Sequence, residues 1–171
     1  MKSNNHFGSI LSYLFIFVSF FLLSNFSLGQ SLAYRTLLNG LYDNKFPVVH
    51  PTQIKSLSNY QVLDTREKEE YEVSHLKGAK WVGYDTFNLE NLEGLDKEKP
   101  VLVYCTVGAR SQEIGKKLKE NGFKNVYNLY GGIIQWSNDE LPLYKDSIPT
   151  NEVHTYTKSW GIWLNHGKKV Y

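Results

Sequence analysis

The sequence predicts an α/β domain: a central parallel sheet flanked by helices on both faces. Three observations lead there. Short apolar strands alternate with helical segments over residues 47–142, the order that winds a parallel sheet. Val101, Leu102 and Val103 follow one another without polar alternation, as a strand buried on both faces requires. The chain has 171 residues, 42% hydrophobic and 21% charged, which suits one globular domain with appendages.

The elements follow in chain order. Residues 30–46 form an N-terminal segment with a short helix stopping at Asn39-Gly40. "PVV" (47–49) is a short strand, and "HPTQIKSL" starts a helix with Pro51 in its first turn. "YQVLD" (60–64) is a strand, "REKEEYEV" (66–73) a charged helix and "GAKWVGY" (78–84) a strand. "PVLVYC" (100–105) is the buried strand. "SQEIGKKLKENG" (111–122) is a helix with Ile114 and Leu118 on one face and Asn121-Gly122 as its stop. "NVYNLY" (125–130) is a strand, and "GGIIQWSN" opens a further helix. Residues 143–171 form a C-terminal extension. Its Tyr156, Trp160, Trp163 and Leu164 recur at near-helical spacing and predict an extra helix packed on the domain.

The first 29 residues differ from the rest. Lys2 lies in a polar start, an apolar run extends from Ile10 to Leu23, and small residues stand at Ser27 and Gly29. As a helix the apolar run spans roughly 21 Å, short of the ~30 Å hydrocarbon core. This predicts a signal peptide over residues 1–29 and a protein exported to the periplasm or secreted. The alternative is an uncleaved N-terminal membrane anchor. Losing that leader removes one lysine and no acidic residue from a chain of net charge +2, leaving no electrostatic footprint for nucleic acid.

Cys105 is the chain's only cysteine. In an exported protein an unpaired cysteine is a reactive thiol, an intermolecular link or a small core residue. Its position favours the first. It stands where a buried strand hands over to a helix, the place where open α/β sheets bind ligands. The loop "CTVGARS" curls its amides inward as an anion nest, Gly108 permits the tightest bend, and the next helix adds its positive end. A thiolate is the nucleophile such surroundings support. Arg110 adds a fixed positive charge able to grip an oxyanion.

"VLVYCTVGARS" resembles the active-site strand and loop of the rhodanese sulfurtransferases. "VLDTREKEEY" is similar to an earlier family segment through Asp64, Arg66, Glu67, Glu70 and Tyr71. "SHLKGAKWV" and "VYNLYGGIIQW", with Gly131, Gly132 and Trp136, extend the resemblance over residues 47–142. Ser74 and Lys77 stand where glycine and proline are common, and Ala109 replaces a frequent polar residue. The resemblance implies a rhodanese-like fold and a two-step sulfur transfer through a persulfide on Cys105. It also implies that the backbone of Thr106, Val107, Gly108, Ala109, Arg110 and Ser111 stabilises the anion while Arg110 orients the donor. Asp64 and Arg66 are expected to support the site from outside the loop. The partners implied are a small anionic sulfur donor and a thiol or cyanide acceptor, which can be a protein, with no metal or organic cofactor.

Two other readings use the same residues. A non-turnover persulfide carrier or interaction module would keep the fold without thiosulfate turnover. A phosphatase of related architecture would need its arginine at position 111, where this chain has Ser111, so the loop is one residue short. Arg66 and Glu70, four apart on a helix, are expected to pair with each other. Asp64 is expected to cap the strand end. Lys116, Lys117 and Lys119 read as a solvated helix face, and the histidines show no ligand spacing for a metal.

Overall fold

The computed structural model describes residues 13, 15–17 and 32–171, with the side chain of residue 91 set aside. The expected leader therefore lies almost wholly outside the described residues, and among those described no helix is long and apolar enough to cross a membrane. The chain divides into compact units at residues 1–37 and 38–171. In the first, the described residues are helical. A helix α1 occupies residues 32–41.

The second unit carries the predicted parallel sheet. Strands β1 (Val48–Val49), β2 (Gln61–Asp64), β3 (Lys80–Trp81), β4 (Val101–Tyr104) and β5 (Val126–Leu129) lie in the order β1-β5-β4-β2-β3. Every pairing is parallel, with Leu63 opposite Val103 and Val103 opposite Asn128. Successive strand side chains point to opposite faces. All four residues of β4 are fully buried, so both faces of the sheet are covered at its centre. Helices α2 (Lys68–Val73), α3 (Ala109–Glu120) and α4 (Gly132–Asn138) follow β2, β4 and β5. α3 packs on β4 and β5. Its Ile114 and Leu118 join Leu63, Val101, Val103 and Phe46 in one apolar cluster, as the helix pattern predicts.

Four expectations are corrected. The helix expected from His50 breaks into two 3₁₀ turns, Pro51–Gln53 and Leu57–Asn59, because Ile54 is extended at φ −82° and ψ 104°. The strand expected over 78–84 shrinks to two residues between Gly78 and Gly83, both at φ 72°. α3 begins at Ala109, not Ser111, since Gly108 turns left-handed and starts the helix at once. The C-terminal extension is not a long helix. It forms an antiparallel pair, β6 (Leu143–Lys145) with β7 (Ile148–Thr150), and a parallel pair, β8 (Glu152–His154) with β9 (Lys168–Val170). One helical turn, α5 (Lys158–Gly161), remains. Tyr156 adopts φ 66°, which a helix cannot contain, so the aromatic stripe scatters: Leu164 is buried and Tyr156 half exposed.

The extension closes over α4 through specific bonds. The Ser137 hydroxyl donates to the His166 carbonyl at 2.7 Å, and Asn138 donates to the Trp163 carbonyl at 2.8 Å. Asn138 also accepts from the backbone N–H groups of Asn165 and His166.

Candidate active site

β4 delivers Cys105 to the carboxyl end of the central strand, and the loop behind it is built by its neighbours. Gly132 opens α4 at φ 55°, so close that a Cβ there would meet the carbonyls of Cys105 and Thr106. Those two carbonyls accept the N–H groups of Ile133 at 2.9 Å and Ile134 at 3.2 Å. With its carbonyls turned toward α4, the loop can curl its amides toward the sulfur. Gly108, at φ 101°, completes the curl, and its N–H donates to Cys105 Sγ at 3.1 Å. Buried Asn128 on β5 holds the loop from the other side. Its Nδ2 donates to the Gly108 carbonyl at 2.9 Å, and its Oδ1 accepts the Ser111 hydroxyl at 2.7 Å.

The charged residues pair differently from the helical-spacing expectation. Arg66 does not pair with Glu70. It folds back on Asp64 with both groups fully buried, at 2.6 Å between Nη2 and Oδ2. Arg66 also donates to the Ser74 carbonyl at 2.6 Å. Asp64 thus anchors a buried arginine rather than only capping a strand. Glu70 reaches the active loop instead, accepting from Arg110 Nη1 at 2.8 Å and Nη2 at 2.9 Å. The Thr106 hydroxyl closes this ring, donating to Glu70 at 2.8 Å and accepting from Arg110 at 2.9 Å.

Electrostatics follow from that ring. Burial would raise the Glu70 carboxyl, but its bonds to Arg110, the charges of Arg110 and Arg66, and the Thr106 hydroxyl outweigh it and hold it low. Burial disfavours the Arg110 cation, yet Glu70 and Cys105 keep it firmly protonated. Tyr156 of the extension lays its ring against Arg110, 4.8 Å from the guanidinium carbon. Nearby His154 is held below its ordinary range, first by burial, with Arg66 and Arg110 lowering it further and Glu70 opposing.

The sequence-predicted residues therefore divide. Cys105 lies at the end of β4, and Gly108 bends the loop beside it with its N–H on the sulfur. Thr106 and Ser111 spend their hydroxyls on Glu70 and Asn128, so both side chains shape the loop. Ala109 and Arg110 belong to the first turn of α3. The Arg110 guanidinium is held by Glu70 and the Thr106 hydroxyl. Lys116, Lys117 and Lys119 are exposed, as the solvated helix face predicts, and Lys116 pairs at that surface with Asp43 at 2.7 Å.

Sequence reasoning missed Tyr42. Its hydroxyl donates to the Val107 carbonyl at 2.5 Å and accepts the Gly131 N–H at 2.8 Å. It bridges the two loops that flank Cys105, which is 1% exposed. No sequence signal could have found it, because Tyr42 and Val107 lie 65 residues apart and share no motif.

Residues 51–139 match the model of the rhodanese-like domain family. Over 75 residues the chain is 43% identical to the thiosulfate sulfurtransferase GlpE of Coxiella burnetii, covering 44% of this chain and 69% of that protein. Over 137 residues it is 33% identical to the tRNA uridine(34) hydroxylase of Hamiltonella defensa, covering 68% of this chain but only 38% of that enzyme. Among solved structures, the polysulfide-sulfur transferase homodimer of Wolinella succinogenes is 27% identical with a TM-score of 0.51, covering 67% of this chain and 88% of that one. A Bacillus halodurans protein has the same fold at 23% identity and a TM-score of 0.54, covering 70% of this chain and 88% of that one.

Proposed function

This chain belongs to the rhodanese-like domain family, and from that premise we propose that it is a sulfurtransferase working through a persulfide on Cys105. The observation that carries the reading is the Gly108 N–H aimed at Cys105 Sγ, 3.1 Å away, at the end of the central strand. An amide so placed stabilises negative charge on the thiolate before transfer and on the persulfide after it.

The chemistry balances with no further reagent. The Cys105 thiolate attacks the outer sulfur of thiosulfate; a sulfur–sulfur bond forms to Cys105 as the one inside thiosulfate breaks. Sulfite leaves as its dianion, and the persulfide keeps the single negative charge. Cyanide or a thiolate then attacks the terminal sulfur, yielding thiocyanate or an acceptor persulfide and restoring the Cys105 thiolate. The resemblance of residues 1–29 to a secretory leader supports placing this reaction outside the cytoplasm.

The test is steady-state thiocyanate formation by wild type and Cys105→Ser, with thiosulfate and mercaptopyruvate as competing donors. Wild type is expected to turn over and to gain the mass of one sulfur atom on Cys105; Cys105→Ser is expected to do neither. Failure of wild type to take up sulfur overturns the reading. A second reading, a persulfide carrier for a protein thiol, is favoured by the pairing of Arg110 with Glu70, which leaves a small dianion without that clamp. Sulfur uptake without thiocyanate turnover selects it.

A further inference from the structure

Tyr42 lies outside the region matched by the family model, yet its phenol seats beside the catalytic loop. We propose that Tyr42 is a gate over Cys105, setting which sulfur donors and acceptors reach the thiol, with the closed gate as the resting state. The proposal rests on Cys105 being the reacting thiol, but not on any particular donor.

Three features argue for it. First, the seat is specific. The phenol spans the Val107 carbonyl on one loop and the Gly131 N–H on the other, so it ties together the two chain segments that flank Cys105. The ring also lies hard against Gly108, the residue whose N–H holds Cys105 Sγ: a Cβ added there would stand 2.7 Å from Tyr42 Cζ.

Second, the backbone beneath Tyr42 is clamped while the side chain has somewhere to go. Asp43 accepts Lys116 Nζ at 2.7 Å, and its N–H donates to the Gln112 side chain at 3.1 Å. Phe46 is buried in the core against Gly115. Tyr42 also lines an open pocket of about 420 Å³, together with Asn39, His50 and Tyr130 among others. His50 stacks on Tyr130 at 4.2 Å, and Tyr42 meets Tyr130 edge-on at 5.9 Å, an aromatic wall a swinging phenol can slide along. The gate is therefore a side-chain rotation and not a flap.

Third, opening exchanges one ligand of the site for another. As the phenol leaves, its oxygen withdraws from the Gly131 N–H. An oxygen or sulfur of the incoming donor can accept that bond, so donor binding and opening are coupled. Width sets the selectivity: a slim sulfur chain enters past a partly rotated ring, and a bulky aromatic disulfide needs the ring fully displaced.

Thiol access tests the gate independently of sulfur transfer. The rate of Cys105 alkylation by iodoacetamide, and of its reaction with a bulky aromatic disulfide, is measured on the full chain for wild type, Tyr42→Phe and Tyr42→Ala. Thermal melts check that each variant folds. Tyr42→Phe keeps the ring but loses both hydrogen bonds, and about a tenfold rise in alkylation is expected, the equivalent of ~1.4 kcal/mol for bonds of that kind. Tyr42→Ala is expected to rise at least as far and to bring the bulky reagent's rate toward that of the small one. Wild type reacting as fast as folded Tyr42→Phe overturns the gate. So does a bulky-to-small rate ratio unchanged in folded Tyr42→Ala. Sulfur uptake failing while these rates still rise would remove the sulfurtransferase reading and leave the gate standing.

Discussion

Glu70 and Arg110, 40 residues apart in the chain, meet as a two-pronged ion pair whose oxygens accept Nη1 at 2.8 Å and Nη2 at 2.9 Å. The pair ties the first turn of α3 to α2, and through the Thr106 hydroxyl it also reaches the loop that carries the sulfur. Glu70 does a third thing: it accepts the Glu67 N–H that starts α2, at 3.1 Å. One carboxylate thus couples a helix cap, an arginine and the active loop.

That coupling makes stability depend on acid. The folded-state value of Glu70 lies below the ordinary 4.5, so the unfolded chain binds its proton first as the pH falls. The stabilisation is therefore complete above about 4.5 and is lost as the pH drops through the lower folded value. Urea midpoints measured from neutral pH down to pH 3 are expected to fall on the acid side. Glu70→Gln is expected to flatten that limb and to cost about 1.5–3 kcal/mol at neutral pH, the range for hydrogen bonds to charged groups. An acid limb of unchanged steepness in the variant would assign it to other carboxylates.

The Asp64–Arg66 pair is fully buried, so its two halves are unequal to its whole. Asp64→Asn leaves a buried guanidinium without its counter-charge and is expected to destabilise by about 3–5 kcal/mol. The double change Asp64→Leu with Arg66→Met removes both charges and is expected to recover part of that loss. Recovery stays partial because the Ser74 carbonyl loses the Arg66 donor and the residue 66 N–H loses Asp64. Chemical denaturation of the three proteins decides it: a double variant no more stable than Asp64→Asn contradicts the assignment.

Gly132→Ala probes the loop from behind. The change strains a backbone at φ 55° and drives a Cβ into the carbonyls of Cys105 and Thr106. Gly78 is the control, because at φ 72° a Cβ there meets nothing within 4 Å. Strain alone costs on the order of 1–3 kcal/mol, which both variants are expected to lose. Gly132→Ala alone is expected to lose thiocyanate turnover as well, since the displaced carbonyls uncurl the amides from the sulfur. Equal turnover in the two variants would mean that the loop's curl does not depend on α4.

The sequence by itself determined the parallel sheet, the order of its strands and helices along the chain, and the place of Cys105 at the end of β4. These are local matters: an unbroken apolar run, a glycine where the chain must bend, a helix restarting within a few residues. The tertiary structure decided which charges pair, what the loop side chains do and what packs against the loop. Spacing along one helix put Arg66 with Glu70, but burying an arginine demands a carboxylate close enough to match its fork, and the fold supplied Asp64. Glu70 was left for Arg110, and the two meet across the helices. The C-terminal aromatics followed helical spacing until a left-handed Tyr156 broke the run and set its ring on Arg110. Tyr42 shares no motif with the residues it bridges. The packing of Phe46 and Asp43 against α3 helps bring its phenol to the loop after Cys105, because such contacts are set by shape and by pairing across dozens of residues, which no local pattern encodes.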